Sequence, residues 1–294
     1  MPTIILASCS WLVDGTGPRL DSDDPALARA LEAAGADVSI RAWDDEVDWA
    51  GADAVVVRTT WDYQQRLDEF VGWAEAVAES TLVLPSPDVV RWNTRKSYLM
   101  ELEDRGAPVV PTAWLGAGDR VDLAALAAAR DWSQVVVKPV VAAGGRGLIV
   151  ASDPAAEQEA FAALAATEDV MVQPLLTQVR TQGELSAVLL DGRVSHAVRK
   201  LPADDQWRIH IEVGGEYEQV DLPEDLRRLA EWVVAQLPDV PAIARIDLLP
   251  ADDGEWQVTE LELVEPALYL DWVDGAAERV AATILARLAH TEIT

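Results

Sequence analysis

Lysine is nearly absent from this sequence. Of 23 basic residues only Lys96, Lys138 and Lys200 are lysine, and arginine supplies every other positive side chain. A compact ammonium on a slender stem does things that a planar guanidinium fork cannot, so the three survivors are candidates for sites where only that geometry works. Lys200 is the one most readily explained by chance retention. Cysteine is scarcer still: the single Cys9 cannot form an intramolecular disulfide and is expected as an inert buried residue near a strand end. Positive charge as a whole is short. With 51 acidic residues against 23 basic the net charge is −28, which repels phosphate backbones and anionic membrane surfaces and excludes nonspecific nucleic-acid binding. The acidity fits adaptation to salt or simply a soluble surface. No apolar run reaches the roughly 18 residues of a membrane span. The opening "MPTIILASCSW" has neither the basic flank nor the long apolar core of a signal peptide, so a cytoplasmic protein without membrane partners is expected. Zinc-ligand spacing, a Ser-His-Asp order and a dinucleotide fingerprint are all missing.

What is present is a globular chain of 294 residues, 50% hydrophobic, with enough apolar mass for two or three compact units. Residues 1–93 alternate strand and helix: "TIILA", a helix opened by Asp24 and Pro25 and ending near Gly35, the buried run "AVVVR", and a helix over Leu67 to Ser80. That order predicts a parallel α/β domain with ligand-facing loops after the strand ends, and "TTWDY" occupies such a place. Residues 94–170 carry a helix with Lys96, a strand in "PVVPTAWL", alanine-rich helices near 122–130 and from about 154, and strands "VVVKP" and "LIVAS". Residues 171–294 hold two hairpins, turning at Asp191-Gly192 and near Asp252 to Gly254, then a helix over Trp272 to Ala289.

Three local patterns carry chemistry. In "VVVKPVVAAGGRG" the lysine precedes the glycines and a strand follows them, which rules out a P-loop and predicts a hairpin tip. Such a tip can fold over a nucleotide while Lys138 reaches phosphate; an ordinary glycine turn with a snorkelling lysine is the alternative. In "ARIDLL" and "VTELELVEP" Arg245 and Asp247 share one strand face and Glu260 and Glu262 another, with Leu261 and Leu263 packed behind. Paired, the strands converge three carboxylates, which suits Mg²⁺ completed by phosphates and water, or else forms a solvent-facing acidic hairpin. In "RTTWDY" Arg58, Trp61, Asp62 and Tyr63 could clamp an amino acid, Arg58 toward carboxylate and Asp62 toward ammonium. The same loop reads equally as a Trp61 interface anchor capped by Asp62. Arg208 and His210, alternating in "WRIHI", are further substrate candidates; His196 reads as structural and His290 as solvent-exposed.

These residues together resemble a known family. "RWNTRKSYL", "VVVKP", "AAGGRG", "VMVQPLL", "GELS", "SHAVRKLP" and the acidic hairpin are similar to the ATP-grasp superfamily on its glutathione-synthetase side. With "VVVRTTWDY" added, they resemble its O-ureido-serine cyclo-ligases of D-cycloserine biosynthesis. The resemblance implies an N-terminal parallel α/β domain followed by a two-lobed, α+β ATP-grasp fold. It implies ATP and Mg²⁺ as cofactors, with Lys96, Lys138 and the loop glycines Gly144, Gly145 and Gly147 on the phosphates. Gln173, Pro174, Leu175 and Leu176 would form the adenine hinge, with Glu184 as a ribose or hinge contact. Arg245, Lys200 and Arg199 would bind transferring phosphate or substrate carboxylate, and Asp247, Glu260 and Glu262 would hold magnesium. Glu262 departs from the pattern, since many ATP-grasp enzymes carry Asn there. The implied reaction joins a carboxylate to an amine through an acyl phosphate, on a small amino-acid-like substrate and, in its cyclo-ligase form, within one molecule. The chain could form a homo-oligomer. A two-substrate dipeptide-type ligase and a non-catalytic ATP-binding regulator are the competing readings.

Overall fold

The computed structural model describes residues 1–16, 22–204, 206–207, 209, 211 and 214–291. Its first sheet is parallel and contains β1 (Thr3–Ser8), β2 (Asp37–Ala42), β3 (Ala54–Val57) and β4 (Leu82–Leu84) in the order β2-β1-β3-β4. Parallel strands need crossovers, so both faces are covered by helices. Along β1 the side chains alternate accordingly. Ile5 and Ala7 pack with Phe70, Ala74 and Val77 of the Leu67–Ala78 helix, and Ile4 and Leu6 with Leu27 and Leu31 of the Asp24–Ala33 helix. Phe70 is fully buried, which stabilises the fold by about 1.5–3 kcal/mol relative to exposure. Cys9 follows β1, is wholly buried, and has its thiol pushed up to about 12 by that burial, as an inert cysteine should.

The second sheet is antiparallel, with β5 (Ala113–Leu115), β6 (Val135–Pro139), β7 (Ile149–Ala151) and β8 (Val170–Pro174) in the order β5-β8-β6-β7. Leu123, Ala127, Phe161 and Ala165 from two alanine-rich helices cover one face. The third sheet, also antiparallel, orders β9 (Glu184–Leu190), β10 (Arg193–Leu201), β11 (Glu216–Val220), β12 (Ile243–Pro250) and β13 (Trp256–Glu262) as β11-β10-β9-β12-β13. Its β9–β10 hairpin turns at Asp191 and Gly192 with φ of 48° and 75°, the positive values this tight turn requires. One face packs on Tyr98, Leu99 and Leu102 and on the Glu224–Ala235 helix. On the other, Val188 and Val198 join Ile4 and Leu6 of the first sheet and Val280 and Ile284 of the closing Ala276–Thr291 helix, so the two sheets share one core. No helix among the described residues is long and apolar enough to cross a membrane.

Several elements differ from the sequence expectation. Lys96 lies in the turn between the Pro87–Asn93 and Tyr98–Asp104 helices, because its N–H donates to Val140 O at 2.9 Å instead of closing a helical bond. "PVVPTAWL" contributes a strand only at its end, since Pro108 and Pro111 have no N–H for a ladder. The closing helix starts at Ala276, after Gly275 at φ 69°, and not at Trp272. The expected boundary at 170 falls on β8, which sits inside the second sheet, while residues 98–102 pack against the third. Strands β2, β4 and β11 and the Glu224–Ala235 helix went unpredicted.

Candidate active site

A cavity of about 670 Å³ lies between the second and third sheets, with the first sheet's loops at one end. Strand alternation aims the chemistry into it. On β6, Val135 and Val137 enter the core while Val136 and Lys138 line the cavity. On β12, Ile246 and Leu248 are core and Arg245, Asp247 and Leu249 face the cavity; on β13, Leu261 is core and Glu260 and Glu262 face it. The register sets Arg245 opposite Glu262 and Asp247 opposite Glu260, with an irregularity just after Asp247. The end of β13 is pinned from outside. Asn93 donates to Leu261 O at 2.8 Å and accepts from Leu263 N at 2.7 Å, and Tyr98 Oη accepts from Leu261 N at 2.9 Å.

At the centre, oxygens of Asp247, Glu260 and Glu262 lie within 4.8 Å of one another. The all-oxygen donor set, with no histidine or cysteine, suits a hard divalent cation such as Mg²⁺. The surrounding cations divide among the carboxylates. Arg245 reaches Asp247 at 2.9 Å and Glu262 at 2.6 Å, Lys96 hydrogen-bonds Glu260, and Lys200 pairs with Glu184 and stands 3.8 Å from Asp247. The result is uneven. Burial disfavours every ionised carboxylate here, yet Arg245, Lys200 and the Ser186 hydroxyl at 2.5 Å hold Asp247 well below the usual range. For Glu262 burial prevails over Arg245, and with Glu260 and Asp247 beside it the carboxyl is pushed up to about 8. That acid lacks sufficient positive charge, which is the condition a bound cation relieves.

Lys138 is the converse case. Its Nζ donates to Thr259 Oγ1 at 3.3 Å and forms no ion pair among the described residues, and burial, only partly offset by Glu260, lowers its pKa. A half-buried ammonium with no ion pair among the described residues, facing an open cavity, is arranged to take an anion. Next to it the glycine loop lines the cavity through Gly144 and Gly145. Gly147 holds the loop's base: its φ is 70°, and a Cβ there would stand 2.6 Å from Pro139 Cγ. Gln173 and Pro174 at the end of β8 and Leu175 and Leu176 just after it lie along the cavity, where Val136, Val150 and Leu249 make an apolar slot.

The structure therefore gathers Lys96, Lys138, Lys200, Arg245, Glu184, the three acidic residues, Gly144, Gly145, the 173–176 segment and Trp61 around one cavity. It does not gather Arg199, which projects from β10 on the face opposite Lys200 and pairs with Glu218. Nor does Arg58 reach a substrate: it is 1% exposed, lies 3.5 Å from Asp24 and donates to Pro266 O at 3.1 Å. Asp62 caps its loop by accepting from Trp43 Nε1 at 2.9 Å, and the Tyr63 ring stacks on Phe70 in the core. Arg208 and His210 lie outside the described residues. His196 is structural, its Nε2 2.8 Å from Leu268 O.

Two cavity residues escaped the sequence reading. Tyr269 sits with its ring 5.8 Å from Lys200 Nζ and 5.9 Å from the Arg245 guanidinium. Its φ of 56° is rare outside glycine. Asp23 maintains it by accepting from the N–H groups on either side, Leu268 at 2.5 Å and Leu270 at 2.8 Å. Nothing in "EPALYL" betrays that conformation. The other is Glu265, whose only sequence sign is a third acid directly after the acidic hairpin.

The comparisons agree with this geometry. The family model for D-cycloserine synthetase DcsG, N-terminal domain, matches residues 4–85, and that for the prokaryotic glutathione synthetase ATP-grasp domain matches residues 115–250. The cycloserine biosynthesis protein DcsG of Streptomyces lavendulae is 32% identical over 301 residues, 94% of this chain and 97% of its own. A crystal structure of D-cycloserine synthetase DcsG matches with a TM-score of 0.83 at 30% identity, covering 97% of this chain and 99% of that one. D-alanyl-alanine synthetase A from Vibrio cholerae shares the fold, with a TM-score of 0.71 at 15% identity over 100% of this chain and 99% of its own. The chain belongs to the ATP-grasp ligase family and is an enzyme of the carbon–nitrogen ligase class, similar along nearly its whole length to D-cycloserine synthetase.

Proposed function

We propose that this enzyme uses ATP to activate the carboxylate of an amino-acid-like substrate and then closes a ring with a nitrogen of the same molecule, O-ureido-D-serine being the substrate type that the sequence resemblance implies. The observation that carries the reading is the juxtaposition, around one cavity, of Lys138, which forms no ion pair among the described residues, with the Asp247, Glu260 and Glu262 cluster. A polyphosphate accompanied by magnesium would satisfy both. Adenine occupies the apolar slot beside residues 173–176, and Lys96 and Lys138 hold phosphate oxygens under the glycine loop. Asp247, Glu260 and Glu262 would hold magnesium, which supplies charge neutralisation on the phosphates.

A substrate carboxylate oxygen attacks the terminal phosphorus, ADP leaves, and the acyl phosphate lies under Arg245 and Lys200. The side-chain nitrogen then attacks the acyl carbon, phosphate departs, and the nitrogen loses its proton. No nucleophilic side chain is needed, because positioning and charge neutralisation do the catalysis. Ring closure within one molecule needs no separate amine site. ADP release followed across a panel of amino acids bearing side-chain nucleophilic nitrogen tests the reading.

A companion expectation concerns Lys138. Lys138→Arg keeps the charge but places a bulkier fork where a slender stem runs along β6. Affinity for a nonhydrolysable ATP analogue, measured by calorimetry, should fall by at least tenfold. Unchanged affinity would remove Lys138 from the phosphate site.

A further inference from the structure

The carboxylates lining the cavity can be sorted by what already engages them. Asp247, Glu260 and Glu262 form the cluster, Glu184 is paired with Lys200, Asp23 accepts two backbone N–H groups, and Asp271 stands at the exposed rim. Glu265 remains. It is 8% exposed and lines the cavity, and the cations close enough to influence it, Lys96 and Arg245, are committed to Glu260 and to Asp247 and Glu262.

The N-terminal domain fixes Glu265 in place. Trp61 Nε1 donates to the Glu265 carbonyl at 3.1 Å and Arg58 Nη1 to the next carbonyl, that of Pro266, at 3.1 Å. The Tyr63 hydroxyl faces the Glu265 carboxylate. Three residues of "RTTWDY" thus serve one short loop and do not themselves form an amino-acid clamp. Around it Trp61 and Trp11, with ring centroids 6.4 Å apart, furnish aromatic wall. An otherwise uncommitted buried carboxylate, rigidly held and walled by indoles, is complementary to a small cation.

We propose that Glu265 receives the α-ammonium group of the substrate, the nitrogen that takes no part in ring closure, and so determines that the enzyme accepts amino acids over their deamino counterparts. This rests on the ring-closing reading above. Arg58 and Trp61 are its positioning residues. Burial, eased by the Tyr63 hydroxyl and by Lys96, pushes the carboxyl up to about 7, as expected of a site completed by a positive ligand.

Two arms test it on the full-length protein. In turnover with O-ureido-D-serine, Glu265→Gln should raise the KM for that substrate at least 30-fold while leaving the KM for ATP within about threefold, and Glu265→Asp should recover part of the loss. A fall in kcat with unchanged KM would overturn the assignment, since it would mark a proton-transfer role; equal rises in both KM values would mark a structural one. In equilibrium binding with magnesium and a nonhydrolysable ATP analogue present, the wild type should prefer D-serine to 3-hydroxypropanoate at least tenfold, and Glu265→Gln should abolish the preference. Should that variant not fold, Glu265→Asp must weaken the preference for the proposal to stand. A preference retained in the variant, or absent in the wild type, overturns it. If O-ureido-D-serine is not turned over at all, the ring-closing reading fails by itself and the binding arm still decides Glu265.

Discussion

Glu260→Gln should reduce ADP release by about a thousandfold or more, because stabilisation of developing phosphate charge by a held cation or donor is worth on the order of 10²–10³ per group and this residue serves two. It is a candidate metal ligand and the hydrogen-bond partner of Lys96. Charge repulsion among three acids suggests that the substitution should spare or raise stability without magnesium. The structure reverses that expectation: burial raises the carboxyl, but Lys96 and Lys138 outweigh it and hold Glu260 below its ordinary value. Its loss leaves the partly buried Lys96 ammonium without its carboxylate partner, so the metal-free melting temperature should fall by several degrees while the fold persists. Near-wild-type turnover would remove Glu260 from the site.

The repulsion resides at Glu262. Its folded value of about 8 stands above the ordinary 4.5, so the protonated carboxyl contributes stability fully below about pH 4.5, and that contribution is lost as pH rises through about 8. Metal-free enzyme should therefore be less stable at pH 9 than at pH 6, by on the order of a few kcal/mol, since each tenfold difference in proton affinity between the folded and unfolded chain is worth about 1.4 kcal/mol. Glu262→Gln should erase much of that loss, equalling the wild type near pH 5 and exceeding it at pH 9. Magnesium should stabilise the wild type more at pH 9 than at pH 6 and the variant far less. Melting curves across pH with chelator or magnesium check this. A variant less stable than wild type at pH 9 would show that Arg245 needs Glu262 more than Glu262 suffers from its neighbours.

The catalytic strands were legible because alternation alone decides which side chains share a face. Arg245, Asp247, Glu260 and Glu262 needed only the pairing of two strands to converge, and Lys138 only its parity on β6. Parity also counts against Arg199, whose neighbour Lys200 takes the cavity face. The loop after β3 stayed open between two readings for a different reason. Arg58, Asp62 and Tyr63 have the composition of an amino-acid clamp, but their partners Asp24, Trp43, Pro266 and Glu265 are distant in sequence, and no local pattern announces them. The same holds for Tyr269, whose left-handed backbone depends on Asp23 more than two hundred residues earlier.

Mass spectrometry of a turnover mixture containing enzyme, magnesium, ATP and O-ureido-D-serine decides whether the carboxylate activated by ATP and the nitrogen that displaces phosphate belong to one molecule. Ring closure within one molecule should release ADP and phosphate in step with a cyclised product lighter than its substrate by at least the water lost. A product joining two substrate molecules, or one that forms only when a second amine is supplied, would contradict it and leave a two-substrate ligase in its place.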